Sequence, residues 1–331
     1  MKNIYLSIIF CLIYSVSQGQ SNIYNFLLAG EDTNFLLEQY TSPIIRGIGN
    51  GVNNGWYNTA KAHKTLGGEI LFTANLAYFN DGEQFYSVPA SGLPGGTTLL
   101  SPTDGNAPTV IGPAITPVFE NNGVVFDGPE GADVKSDVGG FVPTPMVQIG
   151  LGVYKKTDIK FRFLPEQKIG DDGKISMIGF GLLHDIGQHF KGVKELPLDI
   201  SLFAGYTSLK STVDYSNNSG IGTSNDQQGV YNGNSWTFQA LVSKKLSIIT
   251  LYGGLGYDKT DINYKMEGTY DFGNSIVFTN PVDMNFDVSG MRGTAGVRLN
   301  IAFFKLWADY TLKDQNVLTV GLGFAFREDN K

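Results

Sequence analysis

His184 and Asp185 stand side by side, with His189 five residues on. A histidine beside a carboxylate suits acid–base work, and paired imidazoles suit a metal. The spacing puts no two of these imidazoles on one helical face, and no serine is placed by sequence as a nucleophile. Hydrogen bonds that fix a turn are the simpler reading. Asp158, Lys160 and Arg162 occupy alternate positions of one short run, so they share one face if that run is a strand. Glu69, Asp199, Arg298 and Asp309 occupy matching positions in other runs. Facing charges of this kind can select a solute. Otherwise they pair across strands, because unpaired charge is costly away from bulk water. Asp171-Asp172-Gly173 lacks the ligand series of a calcium loop and reads as a turn. Gly253-Gly254-Leu255-Gly256 and Gly321-Leu322-Gly323 have the glycines of a phosphate loop but precede no helix. Glycine there eases strand bending and leaves room for aromatic neighbours. No catalytic residue, metal site or cofactor is expected.

The elements that position these side chains have a period of two. Ile70, Phe72, Ala74, Leu76 and Tyr78 share a face opposite Glu69, Thr73 and Asn75. Such alternation marks a strand wet on one side and apolar on the other. It recurs with Val147–Val153, with Ile159, Phe161 and Phe163, and with Met177–Leu183. It continues through Leu198–Tyr206, Trp236–Val242, Ile249–Leu255, Ala295–Ile301, Leu306–Tyr310 and Leu318–Phe326. Near Asp258 the phase slips, which suggests a bulge, with the strand continuing to about Met266.

Composition agrees. Charged residues make up 17% of the chain and aromatics 12%, with 42 glycines, whereas soluble domains carry about 25% charged residues. Mean hydropathy is only −0.07. This balance suits an all-β, antiparallel transmembrane barrel with apolar residues towards lipid and polar ones towards the lumen. Lys2, the apolar stretch Ile4–Val16 and Ser17-Gln18-Gly19 form a three-part secretory signal over 1–19. Cys11, the only cysteine, falls within it, so disulfides and thiol chemistry are not expected in the mature chain. A net charge of −7 without a Lys/Arg cluster argues against nucleic acid.

Ten strands are clear, and the connections alternate in length. Short turns fall near Phe304, Lys244-Lys245, 185–195 and Lys155-Lys156. Long loops fall near Lys313–Asn316, 267–285, 210–229, 165–173 and 79–145. Outer-membrane barrels have short periplasmic turns and long outer loops. The 79–145 insertion is too long for a plain loop. Thr109-Val110-Ile111 and Val124-Val125-Phe126 could hide further strands, giving ten to fourteen, with more than ten favoured. Residues 20–65, a plug or a periplasmic segment, precede the barrel (66–326). Asp32 can cap a short helix through Phe35, Leu36, Leu37 and Tyr40 that ends at Pro43, with one more turn after it. Gly47–Thr59 then reads as a tight loop in which Asn53, Asn54, Trp56 and Tyr57 form a plug. The tail 327–331 is short and polar. Tyr78, Tyr206, Tyr257, Phe303 and Tyr310 fall where interfacial aromatics belong.

Gly321, Phe324 and Phe326 resemble the terminal-strand motif by which the barrel-assembly machinery recognises its clients, although five residues follow Phe326. An apolar, unpaired last strand can pair edge to edge. The whole pattern resembles an uncharacterised family of outer-membrane β-barrels from Bacteroidota. Asn53–Lys61, Lys156-Thr157-Asp158 with Arg162, and Gly181–Ile186 carry that likeness. It implies a fold and an outer-membrane location, with no activity attached. The plug-plus-barrel layout is also similar to long-chain fatty-acid channels of outer membranes. The leading expectation is a channel or transporter for a small, hydrophobic molecule, with lipid and the assembly machinery as partners. The alternative is a non-transporting barrel that docks a secretion or surface partner through 79–145. A barrel-embedded hydrolase ranks third, and a secreted soluble β protein fourth.

Overall fold

The computed structural model describes residues 23–169, 173–190, 196–214, 226–273 and 276–327. The expected signal (1–19), Cys11, Asp171-Asp172 and 328–331 of the tail lie outside them. Ten strands close into one antiparallel barrel in sequence order. They are β1 (Gly68–Tyr78), β2 (Phe141–Gly152), β3 (Thr157–Ile169), β4 (Gly173–Asp185) and β5 (Asp199–Asp214), then β6 (Gln228–Leu246), β7 (Ile249–Glu267), β8 (Val282–Ile301), β9 (Phe304–Leu312) and β10 (Val317–Phe326). The seam is β1 against β10, from Gly68↔Phe326 to Ala77↔Val317. Closure leaves no free edge, so the last strand is paired on both sides.

The count stays at ten. Val124–Asp127 forms a strand, but in a separate three-stranded sheet with Val118–Asn121 and Thr98–Ser101. Val110 and Ile111 are buried without joining the wall. The insertion between β1 and β2 makes its own core instead, with the Phe119 and Phe126 rings stacked 5.7 Å apart. It caps the end of the barrel that bears the long connections, here the loop end. The opposite, turn end carries the barrel's first and last residues.

Strand β7 runs from Ile249 to Glu267 without a break in register against β6 or β8, so there is no bulge near Asp258. The described shift of register in the barrel wall lies in β3, between Leu164 and Gln167. What changes near Asp258 is the surroundings. Ile249, Leu251, Leu255 and Tyr257 point outward, and so do Lys259 and Asp261 beyond them. Inside, Thr250 and Asp258 give way to Ile262, Tyr264 and Met266. Strand β8 repeats the inversion: Met291 to Ile301 is the apolar outer stretch, and Asp283, Asn285, Asp287 and Ser289 face out above it. Ion pairs cover this upper exterior, with Lys259 Nζ 3.0 Å from Asp261 and Lys265 Nζ 2.9 Å from Asp283. One continuous strand therefore passes from an apolar to a polar exterior.

Residues Ile23–Asp32 form a 3₁₀ stretch packed in the cap, and α1 (Thr33–Val52) descends from it into the lumen. Pro43 does not end the helix, because neighbours on all sides support it. Asp32 stands at its N-cap without capping it. Its carboxylate accepts from the Gly95 and Thr97 amides at 2.8 and 2.9 Å and so holds the insertion. Of the glycines expected to mark a loop, Gly47, Gly49 and Gly51 lie inside the helix and Gly55 follows it. A Cβ on Gly51 would fall 1.8 Å from Thr144 Oγ1 of β2, and one on Gly47 2.5 Å from Val142. Gly49 faces Thr260 and Ile262 of β7, across the barrel. Tight fit between opposite walls overrides the poor helix propensity of glycine.

Candidate functional site

The lumen is filled by residues 45–63. Three layers stack along it. Nearest the cap, Ile45 and Val52 pack with Met146, Met177, Leu209, Tyr231, Ile262 and Val288. In the middle, two wall arginines grip the turn that follows α1. Arg162, fully buried, donates to the Val52 carbonyl at 2.9 Å, the Asn54 carbonyl at 2.6 Å and Gln148 Oε1 at 3.0 Å. Its guanidinium lies 3.5 Å from the centre of the Trp56 ring, a cation–π contact away from water. Arg292 donates to the Asn53 carbonyl at 2.9 Å and to Asn54 Oδ1, and pairs with Asp258 at 3.1 Å. Asp258 also accepts from Lys313 Nζ at 2.6 Å. Burial pulls that ammonium down to about 8, although Asp258 opposes the shift. Below these, Trp56, Tyr57 and Ala60 pack with Leu71, Leu183, Phe203, Leu241, Tyr252 and Trp307. Arg298 Nη1 donates to Asn58 Oδ1 at 2.9 Å.

At the turn end a compact charge cluster ties the plug to β1 and β3. His63 Nδ1 lies 2.8 Å from Asp158 Oδ2, and the His63 amide donates to Asp158 Oδ1 at 2.9 Å. Lys160 Nζ donates to Glu69 Oε1 at 2.9 Å, and the other Glu69 oxygen is 3.8 Å from His63 Nε2. Burial disfavours the charged imidazole, but Glu69 and Asp158 outweigh it and hold its pKa above the ordinary value. His63 and Asp158 have the geometry of an imidazole–carboxylate pair. The second imidazole nitrogen faces a carboxylate rather than a hydroxyl, so the pair has no nucleophile to activate.

The seven expected inward charges do not form one cluster. Glu69, Asp158 and Lys160 meet around His63. Arg162 and Arg298 hold separate parts of the plug. Asp309 accepts from Tyr252 Oη at 2.7 Å. Asp199 sits half-buried at the turn-end rim, near Lys61. The four plug residues Asn53, Asn54, Trp56 and Tyr57 are all buried in the lumen. Gly321 lies under Trp307, where a Cβ would be 2.1 Å from the indole ring, while Phe324 and Phe326 alternate with inward residues along β10. His63, Asp258, Arg292 and Lys313 were not singled out from sequence. Parity alone places Arg292 inside, six residues before Arg298 on the same face. Asp258 was obscured by reading the change of exterior as a slip.

Among the described residues, no group of three or more His, Cys, Asp or Glu is placed to hold a metal. Two hollows, of about 490 and 120 Å³, open on the cap and not into the lumen. The larger is lined by Glu31, Asp32, Phe35, Leu93 and Pro94, among others.

A strand-built wall closed around its own N-terminal segment defines the class: a plugged ten-stranded β-barrel. The family model described as "Family of unknown function (DUF6588)" matches residues 1–326, and the chain belongs to that family. No curated protein matches the sequence. Among solved structures, the chain is similar to the translocator domain of the autotransporter NalP from Neisseria meningitidis. Identity is 13%, coverage is 89% of this chain and 98% of that one, and the TM-score is 0.31. It is also similar to Ail, the attachment invasion locus protein of Yersinia pestis, at 10% identity, 78% and 99% coverage and a TM-score of 0.27. A third is the ferric-catecholate import receptor Fiu of E. coli K12, at 10% identity, 80% and 60% coverage and a TM-score of 0.29. Overlaps of this size assign no role.

Proposed function

We propose that this chain is an outer-membrane β-barrel that is closed at rest and works through its outer cap, docking a secretion or surface partner. Three features of the exterior support the membrane reading. Large apolar side chains face outward, with Met291 73% and Leu255 70% exposed, a heavy cost in water. The apolar stretch of β8 spans Met291–Ile301, about 33 Å of strand and roughly 25 Å of height at barrel tilt, which is the lipid-facing band of such barrels. Aromatics flank it, with Tyr206 against Trp236 at 4.5 Å towards the cap and Phe303 against Phe304 at 4.2 Å at the turn end. The loop end then faces outward and the turn end faces the periplasm.

The observation that carries the closed state is the fit of α1 between β2 and β7, where neither Gly51 nor Gly49 leaves a gap. The insertion 79–140 and residues 23–40 share one core above the membrane, including Phe26, Leu36, Tyr40, Tyr86 and Phe119. That makes the cap a rigid surface suited to contact. No catalytic step enters this reading. Passage of a small hydrophobic molecule is the second reading. It is favoured by the hydrogen bonds, rather than covalent links, that hold the Asn53–Asn58 turn and could exchange partners. Single-channel recording in planar bilayers separates the two. The docking reading expects no conductance from the wild type and an opening only when Gly51→Leu forces the plug out. Wild-type conductance that is abolished by a disulfide between plug and wall would overturn it in favour of passage.

A further inference from the structure

At the turn-end rim, β4 finishes with His184 and Asp185, and the short turn Gly187–His189 folds back beside them. The two imidazole rings lie 5.3 Å apart, inclined at 31°, with their Nε2 atoms 3.0 Å from each other. His189 is exposed and His184 half-buried. The backbone fixes both. The His189 amide donates to the Ile186 carbonyl at 3.1 Å, and the Gln188 amide donates to Asp185 Oδ1 at 3.2 Å. Gln188 Nε2 donates to the Asp185 and Lys155 carbonyls at 2.7 and 2.8 Å. Asp185 Oδ2 is taken by Lys156 Nζ at 2.8 Å. The turn is thus built without help from either ring.

Thr157 is hydrogen-bonded to His184. Its Oγ1 lies 2.8 Å from His184 Nδ1 and 3.3 Å from the Lys155 carbonyl. In the tautomer that can bind a metal through Nε2, the threonine proton goes to that carbonyl and Oγ1 accepts from His184 Nδ1–H. His184 Nε2 is then left as a bare lone pair aimed at His189. Orientation of one imidazole nitrogen by a hydrogen bond at the other is how metal-binding histidines are held.

We propose that His184 and His189 form a two-imidazole chelate for a divalent transition-metal ion such as Zn²⁺. Imidazole binds zinc at about 2.0–2.1 Å, so two such bonds at a tetrahedral angle span about 3.3 Å. The rings meet nearly end on, so they need to part by a few tenths of an ångström and each tilt by roughly 35° off the Nε2–Nε2 line. His189 carries its proton on Nδ1 in the bound form, and water completes the coordination. Imidazole donors without a free carboxylate select zinc, nickel or copper over calcium or magnesium. The bound ion clamps the end of β4 to the turn that leads towards β5. This site stands at the rim, apart from the plug, and does not depend on how the lumen is used.

The test is a Zn²⁺ titration of the folded, detergent-solubilised protein against a chromophoric competitor, using material purified without a histidine tag. Migration of unboiled samples confirms that each variant is folded. The expected result is one saturable equivalent at neutral pH, weakened at least tenfold by His184→Gln and again by His189→Gln. Absence of saturable binding, or binding that neither substitution changes, overturns the proposal.

Discussion

Arg162 is the side chain on which the plug most depends. It brings a full positive charge to a site with no exposure and spends its donors on two plug carbonyls and Gln148. Arg162→Ala leaves the Val52 and Asn54 carbonyls without these donors and removes the platform under Trp56. A loss of about 3 kcal/mol or more is expected, read as a lower temperature for the unboiled-to-boiled gel shift. His63 sets a pH dependence. Its folded pKa is raised above the ordinary 6.5, so the folded state binds the proton more tightly than the unfolded chain does. The resulting stabilisation is fully present below about pH 6.5 and is lost as pH climbs through the raised folded value. Urea midpoints of the wild type should fall across that range, and His63→Asn should flatten the fall. A midpoint that rises with pH in the wild type alone would contradict the assignment. At this scale the sequence was legible wherever parity held: Asp158, Lys160 and Arg162 do share the inner face. Their partners were not legible, because His63 and the plug carbonyls meet them only after a long segment has folded back into the lumen.

At the scale of elements, all ten strands and the side each end faces relative to the loops follow from the period-two pattern and from loop lengths. The helix was read too short because proline and glycine are judged locally, whereas α1 is held by contacts across the barrel. The insertion was read as a possible source of wall strands because a short apolar run looks the same in a cap core as in a membrane wall. Strand β10 offers a sharp trial. Gly321 was expected to serve as part of an assembly signal, and it also leaves the space that Trp307 fills. Overpacking there is expected to cost about 1–3 kcal/mol, so Gly321→Ala should lower the folded fraction recovered in the outer membrane. Trp307→Phe on top of it should restore that fraction if packing is the cause. A double variant as poor as the single one would instead favour a role in recognition by the assembly machinery.

For the whole molecule, the change of exterior along β7 and β8 predicts two opposite responses to the same substitution. Val297→Arg, in the middle of the outward apolar stretch, should cost about 2–4 kcal/mol of unfolding free energy in lipid vesicles. Asn285→Arg, on the polar exterior of the same strand, should be close to neutral. Equal effects at both positions would mean that the band does not sit in lipid. The path of the N-terminal segment has a further consequence, concerning time. Residues 23–32 lie at the loop end, α1 runs down the bore, and β1 starts at the opposite rim, so the ring encircles a stretch of its own chain. A closed ring that leaves no room for a methyl group on Gly51 cannot admit Tyr40 or Arg46 afterwards. The segment must be in place first, and the β1–β10 seam is the clasp fastened last.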